Sequence, residues 1–155
     1  MAFDKLTATE FLDIARALAV QFYNKSAYAN AVLWVTRYLD KGGPDSQLKV
    51  LLAQSYYLGN DFAKAASLLQ KLDRANEAAG RVTAESQLLL WASCELKLSR
   101  NTGMVTTLEK LATHYPKKGY WNDLIRQVQR NPAFSERLTL DAYRLQRYAG
   151  SRWHR

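Results

Sequence analysis

Several features that mark common classes of protein are scarce in this sequence. It has one cysteine, so no disulfide can form within the chain. With only two histidines besides, it has too few nitrogen and sulfur ligands for a usual zinc site. No apolar run reaches the roughly 18 residues of a membrane-spanning helix, and neither common glycine-rich phosphate loop occurs. Seven Gly and three Pro among 155 residues argue against a low-complexity chain. We therefore expect a folded, soluble protein that is not inserted in a membrane.

Reactive side chains are not grouped in the sequence. Cys94 lies within an apolar helical stripe, where a buried structural thiol is the usual outcome. His114 is predicted at a helix C-terminus, where its charge suits the helix dipole. Asp73 and Glu77 share a helical face with basic neighbours, which predicts solvated ion pairs. We predict no catalytic residues, no metal site and no cofactor.

Positive charge is concentrated toward the C-terminus. The chain has 22 Lys and Arg against 14 Asp and Glu, and nine of the basic residues but only three of the acidic ones follow Thr113. Such a segment could bind nucleic acid or another anionic surface, or it could be a solvated helical face. The sequence leaves both interpretations open.

Helical periodicity dominates the chain, and strand-like alternation is absent. Apolar residues recur at steps of three and four, and Gly, Pro and Asn separate the apolar stripes, which predicts about eight helices. One of the predicted breaks is Asn101 to Gly103. Thr7, Asp61 and Ser135 are predicted to cap helix N-termini.

The helical stripes repeat along the chain. Six residues each recur in kind 34 positions later: Leu18, Ala19, Phe22, Tyr28, Ala31 and Val35 are followed by Leu52, Ala53, Tyr56, Phe62, Ala65 and Leu69. The small members allow neighbouring helices to approach closely. The third unit is displaced by about five residues, which a longer second helix and the connection around Gly80 would absorb.

This period and this pattern of small and large residues resemble the tetratricopeptide repeat. The resemblance implies an all-α, right-handed superhelical solenoid of about four antiparallel helix hairpins. We expect a single repeat domain with units at 7–43, 44–80, 81–116 and 117–150 and a basic tail at 151–155. A degenerate last unit begins near Trp121, and Phe134, Leu138, Tyr143 and Leu145 would form its final helix.

The C-terminal segment is also similar to the last repeats of bacterial tetratricopeptide proteins. That similarity implies a bacterial origin, in the cytoplasm or the periplasm, and a fragment of a longer solenoid. In such a fragment, Phe3, Phe11 and Leu12 would form an exposed apolar face on the first helix. This face could drive self-association.

The first helices of such hairpins line a concave groove suited to a peptide or a partner helix. Residues offset in one direction from the packing stripes should face it, including Leu58, Leu89, Ser93 and Leu96. The predicted binding residues are Arg16, Tyr23, Asn24, Gln54, Tyr57, Lys97, Arg126 and Arg130.

The resemblance implies a non-enzymatic scaffold that binds a peptide or protein partner. The positive groove should favour acidic residues beside an apolar anchor. Chaperone-binding members of the family hold a carboxylate between Lys and Asn side chains. Arg16 could replace that Lys, but Val20 occupies the place of the Asn. Nucleic-acid binding through the basic C-terminal third is the alternative.

Overall fold

Seven α-helices follow one another in the part of the chain that the computed structural model describes, residues 6–130. Their bounds are α1 Ala8–Asn24, α2 Tyr28–Asp40, α3 Gln47–Leu58, α4 Phe62–Ala78, α5 Glu85–Lys97, α6 Asn101–His114 and α7 Tyr120–Arg130. A short 3-10 helix, Pro116–Lys118, precedes α7. These residues contain no strand, so the predicted all-α class is confirmed.

Polar side chains begin two of the helices as predicted. Thr7 Oγ1 accepts a hydrogen bond from the backbone N–H of Glu10 at 3.1 Å, and Asp61 Oδ1 accepts one from the backbone N–H of Lys64 at 3.4 Å. Each cap gives a partner to an N–H group that has none within its helix. The third predicted cap, Ser135, lies outside the described residues.

The same backbone turn ends α1, α3 and α5. Its central residues, Ser26, Asn60 and Ser99, have φ angles of 60°, 66° and 55°. Each of them donates its N–H to the carbonyl three residues earlier, and the next residue donates to the carbonyl five residues before it. The turns are 34 and 39 positions apart, which confirms both the repeat and the displacement of the third unit.

The displacement has a visible source in the second helix of the second hairpin. Helix α4 has 17 residues whereas α2 has 13, and a connection through Gly80 follows it before α5 begins at Glu85.

One predicted break is wrong. Gly103 does not lie in a turn but is the third residue of α6.

Small residues are buried where the repeat predicts close packing. Ala19, Ala31, Ala53 and Ala65 are all fully buried. An alanine contributes only a methyl group to the contact, so the neighbouring backbone can come near without a cavity. Larger residues of the same stripes, such as Leu69, are buried beside them.

The described part of the chain divides between Leu72 and Asp73 into two compact units. In the first unit, α1, α2 and α3 surround a core of six buried side chains, namely Ala15, Ala19, Val35, Tyr38, Leu48 and Leu52. Phe11 and Leu12 are half-buried and pack against this core. The chain's own core therefore covers part of the predicted apolar face, and its third residue, Phe3, lies outside the described residues.

In the second unit, α5 packs against α6 and α6 against α7. Leu88, Leu111 and Leu124, one from each helix, are fully buried. Most of the predicted fourth unit, including Phe134, Leu138, Tyr143 and Leu145, lies beyond residue 130 and outside the described residues. The boundaries of the four units therefore stay a prediction. Within residues 6–130, no helix is both long and apolar enough to cross a bilayer.

Replacing Ala53 with Leu should destabilise the protein. Ala53 is fully buried, so the extra carbons must displace packed neighbours, at a cost on the order of 1–3 kcal/mol. Urea unfolding followed by circular dichroism measures this free energy. Ala63→Leu is the matched control, because Ala63 is exposed on the next helix. Equal stability of the two variants would contradict the packing role of Ala53.

Candidate functional site

The predicted groove residues on α1, α3 and α5 occupy equivalent positions of the three hairpins. Their positions can be counted back from the turn residue that ends each helix, Ser26, Asn60 or Ser99. Arg16 and Leu89 each lie ten positions before it, and Tyr57 and Leu96 each lie three positions before it. Lys97 lies two positions before it. Leu58, Leu89 and Leu96 are among the exposed large apolar side chains of the described residues. These helices therefore present apolar as well as polar groups on the predicted side.

Arg16 is held by an acidic residue of the chain itself. Its Nε donates to Asp45 Oδ2 at 2.8 Å, and the backbone N–H of Gln47 donates to the other oxygen of the same carboxylate. The hydrogen bond from Arg16, followed by that from Gln47, lowers the pKa of Asp45. Arg16 therefore already has a carboxylate partner within the chain, and this partner was not predicted from the sequence.

Tyr23 and Tyr57 are half-buried, and each makes an edge-on contact with an aromatic ring. The ring centroids lie 6.0 Å apart for Tyr23 and Tyr28 and 5.3 Å apart for Tyr57 and Phe62. Such pairs contribute about 0.5–1.5 kcal/mol beyond the area they bury. The ring contact of each tyrosine therefore stabilises its hairpin, while the remaining surface of the side chain stays accessible to solvent or a partner.

The remaining predicted residues differ in exposure. Asn24 is exposed at the end of α1, and Gln54 is half-buried on α3. Lys97 is exposed at the end of α5, and Arg126 is exposed and forms an ion pair with Asp123. Arg130 is the last residue of α7, and its side chain lies outside the described part of the structure.

A cleft with a volume of about 370 Å³ opens in the second unit between α5, α6 and α7. Four predicted groove residues line it, namely Leu89, Ser93, Leu96 and Arg126. The other lining residues are not among the predicted ones; they are Ala92, Met104, Leu108 and Asp123. Met104 and Leu108 lie four positions apart on α6, and this spacing is the one signal that could have found them.

The eight predicted binding residues fall into two groups. Arg16, Tyr23, Asn24, Gln54 and Tyr57 belong to the first unit, and Lys97, Arg126 and Arg130 belong to the second. That all eight line one concave surface stays a prediction.

Asp73 was predicted to be solvated, and this prediction is wrong. Its side chain is 6% exposed and accepts hydrogen bonds from the Thr83 hydroxyl at 2.6 Å and from Lys110 Nζ at 2.7 Å. Lys110 also donates to Glu77. Burial lowers the pKa of Lys110, but the hydrogen bonds to Asp73 and Glu77 outweigh it, and the pKa is raised. The cluster ties the end of α4 to α6.

A second buried carboxylate, Glu95, stands where the repeat has Phe22 and Tyr56. It accepts a hydrogen bond from Trp91 Nε1 at 3.2 Å and lies 3.9 Å from the guanidinium of Arg100. A Cβ atom on Gly103 would come within 2.3 Å of this carboxylate. Any larger residue at this position in the first turn of α6 would therefore displace the Glu95 carboxylate from its packed position.

Cys94 is fully buried, as predicted. Burial, with a further contribution from the charge of Glu95, raises the pKa of the thiol to about 11. His114 is the last residue of α6, as predicted. Among residues 6–130, no three His, Cys, Asp or Glu side chains come together as a metal-binding group.

Comparison with known protein families gives a match over residues 24–111 to the family described as anaphase-promoting complex, cyclosome, subunit 3. The matched segment runs from the last residue of α1 into α6 and covers more than half of the chain. This family consists of tetratricopeptide-like repeats. Comparisons with curated proteins and with solved structures found no match.

Replacing Asp73 with Ala should cost about 3 kcal/mol of stability, because Thr83 and Lys110 would lose a buried partner. Thermal or urea unfolding measures the change. Asp40→Ala is the control, since Asp40 is an exposed acidic residue on α2. If both variants are as stable as the parent protein, the cluster has no structural role.

Cys94 should resist modification in the folded protein. A thiol with a pKa of about 11 is almost entirely neutral at pH 8, and the thiolate is the reactive form. We expect an aromatic disulfide reagent, followed by absorbance, to label the native chain far more slowly than the urea-unfolded chain. Equally rapid labelling of both would contradict the burial of Cys94.

Proposed function

This chain belongs to the anaphase-promoting complex, cyclosome, subunit 3 family of tetratricopeptide-like repeats, and from that premise we propose that it binds a peptide or partner protein along the first helices of its hairpins. Repeats of this type are protein–protein interaction scaffolds and are generally not enzymes. The family description names a subunit of a complex. It therefore supports a protein as the partner.

One observation carries the proposal. Of the large apolar side chains that are exposed among residues 6–130, Leu58, Leu89 and Leu96 lie on the predicted side of α3 and α5. Leu89 and Leu96 lie seven positions apart on one face of α5, and a group of exposed leucines on one helix face favours a surface that a partner covers. Polar residues beside them, such as Gln54 and Lys97, would orient that partner.

We propose a partner with acidic residues beside an apolar anchor. The chain carries a formal net charge of +8, which would speed association with an acidic partner. Lys97 contributes an exposed positive group in the second unit, and Arg126 contributes another that is paired with Asp123. In the first unit the corresponding contribution of Arg16 is reduced by its ion pair with Asp45.

A selection of random peptides displayed on phage, with the full chain as the target, tests this function. Enriched peptides with a common apolar anchor and acidic neighbours would support it. The affinity should fall less steeply with salt than that of a nucleic-acid binder, because the apolar contacts are not screened. A steep loss of affinity with salt, together with binding to any single-stranded DNA, would instead identify a nucleic-acid binder.

Tyr57→Ala should weaken binding of a selected peptide by on the order of 1–2 kcal/mol. It should also lower the melting temperature somewhat, because the ring contact with Phe62 is lost. Isothermal titration calorimetry measures the affinity, and circular dichroism measures the melting temperature.

Phe62→Leu is the matched control, since it removes the same ring contact from the other side. Equal loss of affinity in the two variants would mean that Tyr57 acts only through packing. If Tyr57→Ala binds the selected peptide as tightly as the parent chain does, Tyr57 does not belong to the proposed groove.

A further inference from the structure

The third hairpin lacks the aromatic contact that covers the end of the first helix in the other two. Tyr23 packs on Tyr28, and Tyr57 packs on Phe62. Counted from the turn residue, the equivalent pair in the third hairpin is Leu96 and Asn101. No ring can cover Leu96 from that position, and Leu96 is 58% exposed.

Leu96 is also one wall of the cleft between α5, α6 and α7. Leu89, which is 39% exposed, lies on the same helix, and the buried side chains of Met104 and Leu108 line the cleft from α6. The volume of about 370 Å³ lies at the lower end of the range for ligand-binding pockets. The cleft therefore has room for a few apolar side chains of an incoming peptide.

The charged side of the cleft holds one negative and one positive side chain, and the exposed guanidinium can bind a carboxylate. Arg126 and Asp123 line it, and the side chain of Arg126 is 60% exposed. Their ion pair is a surface pair within one helix, which contributes little stability, so Arg126 can turn to a new partner at low cost. A guanidinium group can hold a carboxylate through two parallel hydrogen bonds. Exposed Lys97, next to Leu96, adds positive charge.

We propose that this cleft binds a short peptide in which a large apolar side chain stands next to an Asp or Glu. The apolar side chain packs against Leu89, Leu96 and Leu108, and the carboxylate binds Arg126. The inference rests on the proposed function and narrows it, because it assigns the apolar anchor of the partner to the second unit.

Three synthetic peptides of one length, with blocked ends and identical flanks, test the proposal against the full chain. Their central pairs are Leu-Glu, Leu-Lys and Ser-Glu, and fluorescence anisotropy measures each affinity. We expect the Leu-Glu peptide to bind at least about tenfold more tightly than either of the others. Equal affinities, an order set by charge alone, or no binding at all would overturn the proposal.

Charge reversal gives a sharper test. Arg126→Glu should reverse the preference, so that the Leu-Lys peptide binds more tightly than the Leu-Glu peptide. The matched control is Arg74→Glu, since Arg74 is an exposed arginine on α4, and it should leave the preference unchanged. An unchanged preference in Arg126→Glu would overturn the role of Arg126.

Leu96→Glu should weaken binding of the Leu-Glu peptide at least about tenfold. Leu33→Glu is the control, because Leu33 is an exposed leucine on α2. This variant should bind the Leu-Glu peptide as tightly as the parent chain does. Phage-selected peptides that bind Leu96→Glu as well as the parent chain would overturn this inference but leave the proposed function intact. If Leu96→Glu changes the sedimentation coefficient and not peptide binding, the cleft holds a second copy of the chain, and the proposal is wrong.

Discussion

Close contact between helices at alanine positions is the constraint on which the described fold depends. Ala19, Ala31, Ala53 and Ala65 are fully buried, and each recurs at the spacing of the repeat. A larger side chain at such a position would push two helices apart and open gaps around the leucines beside it. Because the alanines use one side of each helix for packing, another side is left to face solvent or a partner. The candidate site is a consequence of that division.

The third hairpin keeps the backbone turn of the repeat but has different side chains at two of the aromatic positions. Where the first two hairpins place Phe22 and Tyr56, the third buries Glu95 and satisfies its carboxylate with Trp91 and Arg100. A buried carboxylate is tolerated only when such partners are present. Substitution of a ring by a smaller polar group also occurs at Asn101, beside exposed Leu96. These two replacements distinguish the third hairpin from the first two, and the one at Asn101 leaves Leu96 exposed beside the cleft.

Among residues 6–130, the reactive side chains are dispersed and no three metal-binding side chains come together, as is usual in a repeat scaffold. Among the described residues, Cys94 and Asp73 are the groups that a search for chemistry would single out, and both are buried in structural roles. Recognition by such a scaffold is spread over exposed side chains on several helices. The identity of a partner then depends on the few positions where the surface departs from the repeat.

The sequence by itself determined the helical stripes, the turns that include Ser26 and Asn60, and the burial of the alanines, whereas the third turn lies at Ser99 and not at the predicted Asn101 to Gly103. These features depend on local periodicity and on contacts that recur at one spacing, so a single chain records them. Only the tertiary structure decided that Arg16 pairs with Asp45, that Asp73 is buried against Lys110, and that Met104 and Leu108 line the cleft behind Leu96. Each of these contacts joins different helices or a helix and a loop, and nothing in the spacing of the residues specifies which groups meet there. The physical reason is that the charge and polarity of a side chain indicate what kind of partner it requires when buried. The packing of separate helices decides which residue becomes that partner.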